Sequence, residues 1–113
     1  AGRTEDGCMK KDVVGLEHLA GLRLDLKLNA LRRETEAAET LRSEMRHLAD
    51  SALLARRDDQ RLGESHAVWV RQRLDKLNME LANRLVRIEE ARESATRAFG
   101  QKDGLSRLAA KDK

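Results

Sequence analysis

Few residues in this 113-residue chain carry types and spacing that could support chemistry. Glu44 and His47 in "EMRH" have the Glu-x-x-His spacing that puts a carboxylate and an imidazole one helical turn apart, as di-iron bundles require. Such a centre needs a second motif and two further inward carboxylates, and the sequence holds no second copy. His18, His47 and His66 fall in three distant regions, which argues against a metal cluster. Cys8 has no nearby histidine to activate it. The chain is therefore expected to have no catalytic residue, no cofactor and no metal. Gly100 and Gly104 stand four apart in "FGQKDG", but their charged setting is not that of a membrane dimer motif.

Nucleic-acid binding would need a face of one charge sign. Of the 23 basic residues, Arg32, Arg42, Arg73, Arg87 and others each lie near acidic neighbours such as Glu34, Glu44, Asp75 and Glu89. Interspersed signs describe the solvated surface of a helix, stabilised by i,i+4 pairs worth a few tenths of a kcal/mol each, about 0.3. The net charge is +3, and Arg outnumbers Lys 16 to 7. No run of five like charges offers a basic tail, so nucleic acid is kept as an alternative partner only.

The better candidates are apolar residues on helix faces that a small fold has no means of burying. Chains rich in Leu, Ala, Arg and Glu, with 38% charged residues, one Phe, one Trp and no Pro, have the composition of coiled coils. With Ala67 at heptad position a, the a and d positions run Ala67, Val70, Leu74, Leu77, Leu81, Arg84, Ile88, Ala91, Ala95, Ala98, Lys102, Leu105 and Ala109. Eleven of those thirteen are apolar, a sustained coiled-coil signal. In the first half, Leu24, Leu31, Ala38, Met45 and Ala52 lie seven apart. Leu28 completes the early stripe there, and Leu41, Leu48 and Ala55 the later one, a change of flank that reads as helical drift.

"LRLDLKL", Leu22 to Leu28, alternates apolar and charged residues in the manner of a strand. A strand here would have no second strand to pair with, and strong helix formers surround it. It is read as helix with two apolar faces. Leu24 and Leu28 belong to the seam, and Leu22 and Leu26 to a second face that a two-helix fold leaves uncovered. In the second half, Trp69 at position c and Met79 and Val86 at f point away from the seam. Trp is favoured in binding hot spots, and Met in adaptable contacts. Trp69 has the alternative of folding back over the turn. Phe99, at e, flanks the seam and is expected to be structural.

These elements predict an all-α fold, a long two-helix antiparallel coiled-coil hairpin. Residues 1–11 are expected to be a disordered leader, of which residues 1–8, preceding "MKK", read as an expression leftover. Helix 12–61, a turn at 62–64 with Gly63 as left-handed cap, and helix 65–111 capped by Ser65 follow. Folding at Gly63 would set Leu81 against Met45, Ile88 against Ala38 and Ala95 against Leu31, so that large meets small. It would also set Arg84 against Arg42. The alternative is one continuous helix in a parallel dimer, whose seam would be thin at Ala91, Ala95 and Ala98. No apolar run nears the length of a membrane span, and the single Cys fits a reducing compartment, so a cytoplasmic location is expected.

The stretches "HAVWVRQRLDKLNMELANRL" and "ATRAFGQKDGLSRLAAK" carry a family likeness. The chain resembles the FliJ/YscO-type group of bacterial flagellar and type III secretion export proteins. Trp69 matches that family's Trp just beyond the hairpin tip. Phe99, with Lys102, Leu105 and Leu108, matches its aromatic followed by basic and Leu positions. The resemblance implies a cytoplasmic hairpin similar to the central stalk of rotary ATPases, binding an export ATPase ring and an export-gate component, with no active site of its own. Trp69 and Phe99 are the partner contacts it implies; Leu22, Leu26, Met79 and Val86 come from the surface reading. A generic coiled-coil adaptor, acting as a homodimer through the second apolar face, is the remaining alternative.

Overall fold

The computed structural model describes residues 2–58 and 60–111, without the side chains of residues 2–10, 58 and 60–63. Helix α1 runs Gly2–Asp58 and helix α2 runs Gln60–Lys111, with no strand among the described residues. The fold is all-α, a helical hairpin. Absence of Pro lets helices of 57 and 52 residues run without a break. "LRLDLKL" is helix throughout, since a lone alternating run finds no strand partner.

The helix ends differ from the sequence expectation. α1 takes in residues 2–11, read above as a leader, and α2 already covers 62–64, the expected turn; Asp59, between the two helices, lies outside the described residues. Gly63 lies inside α2, so it does not act as a left-handed cap, and Ser65 does not start a helix. A glycine inside a helix costs only about 1 kcal/mol against Ala, which long flanking helices absorb. Arg56 and Arg57 sit in the last turn of α1, where cations suit the negative end of the helix.

The chain divides into two compact units, one of Ala1–Arg32 with Glu89–Lys113, the other Arg33–Ile88. Each contains a stretch of α1 and a stretch of α2. In the first, which we call the terminal unit, Leu24, Ala95 and Ala98 are buried. The Ser106 hydroxyl donates to Glu17 Oε1 at 2.8 Å, and the Lys102 stem lies over Gly21, 3.8 Å from where a Cβ would stand. In the second, the bend unit, Ala38, Val70, Leu77 and Ile88 are buried, and Leu77 is the largest side chain fully closed to solvent. There Arg84 donates to Glu34 at 2.8 Å, Arg73 donates to Glu44 at 3.2 Å, and Ser51 Oγ lies 2.9 Å from His66 Nε2. Partner numbers fall on α2 as they rise on α1, so the two helices run antiparallel within the unit.

The pairing register of the bend unit also differs from that of a fold at Gly63. Folding at Gly63 would place Ser51 level with Asp75, nine residues from its observed partner His66. That is about 13 Å along a helix, beyond the reach of a serine and a histidine. Arg84 accordingly meets Glu34 instead of Arg42, whose guanidinium is turned to Glu39 on its own helix at 2.8 Å. The layers expected from a fold at Gly63, such as Leu81 on Met45 and Ile88 on Ala38, belong to a register the bend unit does not adopt.

All thirteen a and d positions assigned in α2 are buried or half-buried. In α1 the seam is more regular than expected. Leu24, Lys27, Leu31, Glu34, Ala38, Leu41, Met45, Leu48, Ala52 and Ala55 keep a strict alternation of three and four, and each is buried or half-buried. Leu28, placed in the seam from its chemistry, is 44% exposed. Lys27 is half-buried in that slot, as a long aliphatic stem permits, and Glu34 holds the next one while bonded to Arg84. The expected change of flank does not occur, because a coiled pair holds a seven-residue repeat on one face.

Candidate protein-binding surface

The six residues singled out as partner contacts are all exposed. In the terminal unit Leu22, Leu26 and Phe99 lie 49%, 67% and 59% open. In the bend unit Trp69, Met79 and Val86 are likewise exposed, Met79 the most of any large apolar residue described. Phe99, expected to be structural beside the seam, contributes most of its ring to the surface. Leu22 and Leu26 follow one another by a single turn on α1, and Leu19, a turn before Leu22, extends the same outer strip.

Trp69 neither folds away nor stands alone. Its indole stacks on the His66 ring at 5.8 Å between centroids and 23° between planes, while more than half its surface stays open. His66 is in turn held by Ser51 across the helix pair. The chain Ser51–His66–Trp69 fixes an aromatic plate on the bend unit. A plate held in advance loses little side-chain freedom on binding, which favours it as a contact. Val68, Leu53 and Leu54 are exposed in the same unit, and Leu53 edges a shallow groove of about 350 Å³ beside Ala49, Ala52, Ala67 and Val70. Alanine at facing seam positions leaves that groove, because a methyl does not fill the space between helices.

The terminal unit has a larger groove, of about 530 Å³, that sequence reasoning missed. Leu16, Leu19 and Arg23 of α1 form one wall, and Gly100, Gly104 and Leu108 of α2 the other. A Cβ added at Gly100 or Gly104 would meet nothing within 4 Å, so both glycines open the surface without bringing two helices into contact. The i,i+4 spacing of these glycines was visible in sequence. Their place beside exposed leucines of the other helix was not, since it depends on the pairing register.

The residues considered for metal or catalysis are otherwise engaged or apart. Glu44 accepts from Arg73, while His47 and His18 are exposed and His66 bonds Ser51. Among the described residues no group of three metal-ligating side chains converges. The Cys8 side chain lies outside the described residues. The remaining ion pairs, Arg42–Glu39, Arg92–Glu89 and Arg107–Asp103, are single-helix surface pairs of the interspersed kind expected. No helix among the described residues is long and apolar enough to cross a membrane. No protein-family model, curated protein or solved structure matches this chain.

Proposed function

We propose that this chain is a non-catalytic coiled-coil adaptor that acts by docking other proteins on its exposed apolar residues. One observation carries the reading. Fifteen large apolar residues are exposed among those described, against a buried set of seven in which three are alanine. Scattered surface leucines are ordinary, but here Leu22 and Leu26 share one strip of α1 in the terminal unit, and the bend unit presents a Trp69 already held by His66. In its specific form the adaptor is a stalk of a flagellar or type III secretion apparatus, working in the cytoplasm. It would engage an export ATPase ring through Trp69 and link it to an export-gate component through the outer face bearing Leu22 and Leu26. The support for that form is the likeness of Trp69 and of Phe99 with Lys102, Leu105 and Leu108 to the family pattern.

Binding of the chain to a purified export ATPase, followed by calorimetry, tests it. Trp69→Ala is expected to weaken binding about tenfold or more, the effect of removing a hot-spot Trp. Absence of binding by the unaltered chain would remove the stalk and leave the adaptor to be tested on other proteins. Binding that Trp69→Ala leaves unchanged would move the contact elsewhere on the surface.

A further inference from the structure

Leu16, Leu19 and Arg23, which line the groove of the terminal unit on α1, continue a stripe that begins one turn earlier at Asp12, outside the groove. Asp12, Leu16, Leu19 and Arg23 are spaced four, three and four apart, so they share one helix face. That spacing reads the same in both directions, while the charges at its two ends are opposite. We propose that a second copy of this chain covers the groove, the two α1 helices meeting antiparallel about a two-fold axis midway along this stripe. In that arrangement Asp12 meets Arg23 of the second copy and Leu16 meets Leu19 of the second copy. Each contact occurs twice, as a self-complementary interface requires.

Four observations support this occupant over another. Leu16 and Leu19 are 52% and 61% exposed, so their area is free to be covered. Asp12 and Arg23 are both exposed and neither takes part in an ion pair among the described residues. Gly15 lies between the paired positions with open space where its Cβ would be, and Gly100 and Gly104 leave the neighbouring surface of α2 equally bare. A second helix therefore approaches α1 without steric cost on either flank. A parallel pairing in register would set Asp12 on Asp12 and Arg23 on Arg23, and like charges oppose it. Charge order thus selects the antiparallel dimer. The inference does not depend on which protein is bound by Leu22, Leu26 or Trp69.

Two Leu pairs and two ion pairs cover less than the roughly 800 Å² per partner of a standard interface, so association belongs in the micromolar range. Sedimentation velocity on the full chain, from about 1 to about 300 μM, brackets that range. The unaltered chain should pass from monomer to dimer. Asp12→Arg and Arg23→Asp should each weaken association by about tenfold or more, because two attractive pairs become repulsive. The combined variant should recover it, since the pairs are restored with signs exchanged. Circular dichroism on each variant confirms that the helices persist. A chain that stays monomeric throughout overturns the proposal. So does a dimer insensitive to both single changes, or a combined variant no better than either.

Discussion

Arg84 and Glu34 occupy d positions of the two helices, where a coiled pair ordinarily places apolar side chains. Their 2.8 Å contact is partly closed to solvent, the side chains being 37% and 24% exposed. Glu34→Ala leaves the guanidinium without its partner and should cost about 1 kcal/mol in urea unfolding, the upper range for a partly exposed pair. Replacing both residues by Leu should be neutral or stabilising, because the desolvation cost of the charges disappears with them. Leu77→Ala should cost more, about 2–4 kcal/mol, since Leu77 is 0% exposed and its truncation leaves a cavity in the seam. Arg84 was recognisable in sequence as a polar interruption of the seam. Its partner was not, because a fold set at Gly63 exchanged Glu34 for Arg42.

At the scale of the element, α2 was legible almost position by position, while α1 was legible in its period and misread in its phase. In α2 every seam position except Arg84 and Lys102 holds Val, Leu, Ile or Ala, so chemistry and position agree almost throughout. In α1 the slots at 27 and 34 hold Lys and Glu, and a reader guided by hydrophobicity steps aside to Leu28. Helix ends were the least legible feature. Gly63 is the residue type that most often terminates a helix, yet α2 passes through it. The same physics gives a test in the terminal unit. Gly100 and Gly104 lie within α2 with space for a methyl group. Gly100→Ala and Gly104→Ala should each raise stability by about 0.5–1 kcal/mol, through helix propensity and reduced freedom of the unfolded chain. Thermal unfolding at low concentration, where the monomer predominates, would register this as a higher Tm.

In the molecule as a whole, two long helices run antiparallel within each unit, and their pairing leaves apolar surface open. The exposed faces carrying Leu22, Leu26, Met79 and Val86 were legible because heptad phase tells which side of a helix a seam cannot cover. The groove at Gly100 and Gly104 and the Ser51–His66–Trp69 chain were hidden, since both depend on which residues of α1 stand opposite α2. Every surface described rests on the chain folding back on itself. The most direct test of that is one distance. Spin labels at Glu17 and Ser106, with Cys8 replaced by Ser and labelled protein diluted in unlabelled, report separation within a single chain by pulsed electron resonance. These two side chains touch at 2.8 Å across 89 residues of sequence, so the account predicts a narrow distribution below about 25 Å once label arms of a few side-chain lengths are added. A continuous helix would set them roughly 130 Å apart at 1.5 Å per residue, beyond detection, and an absent short distance would contradict the hairpin and the surfaces derived from it.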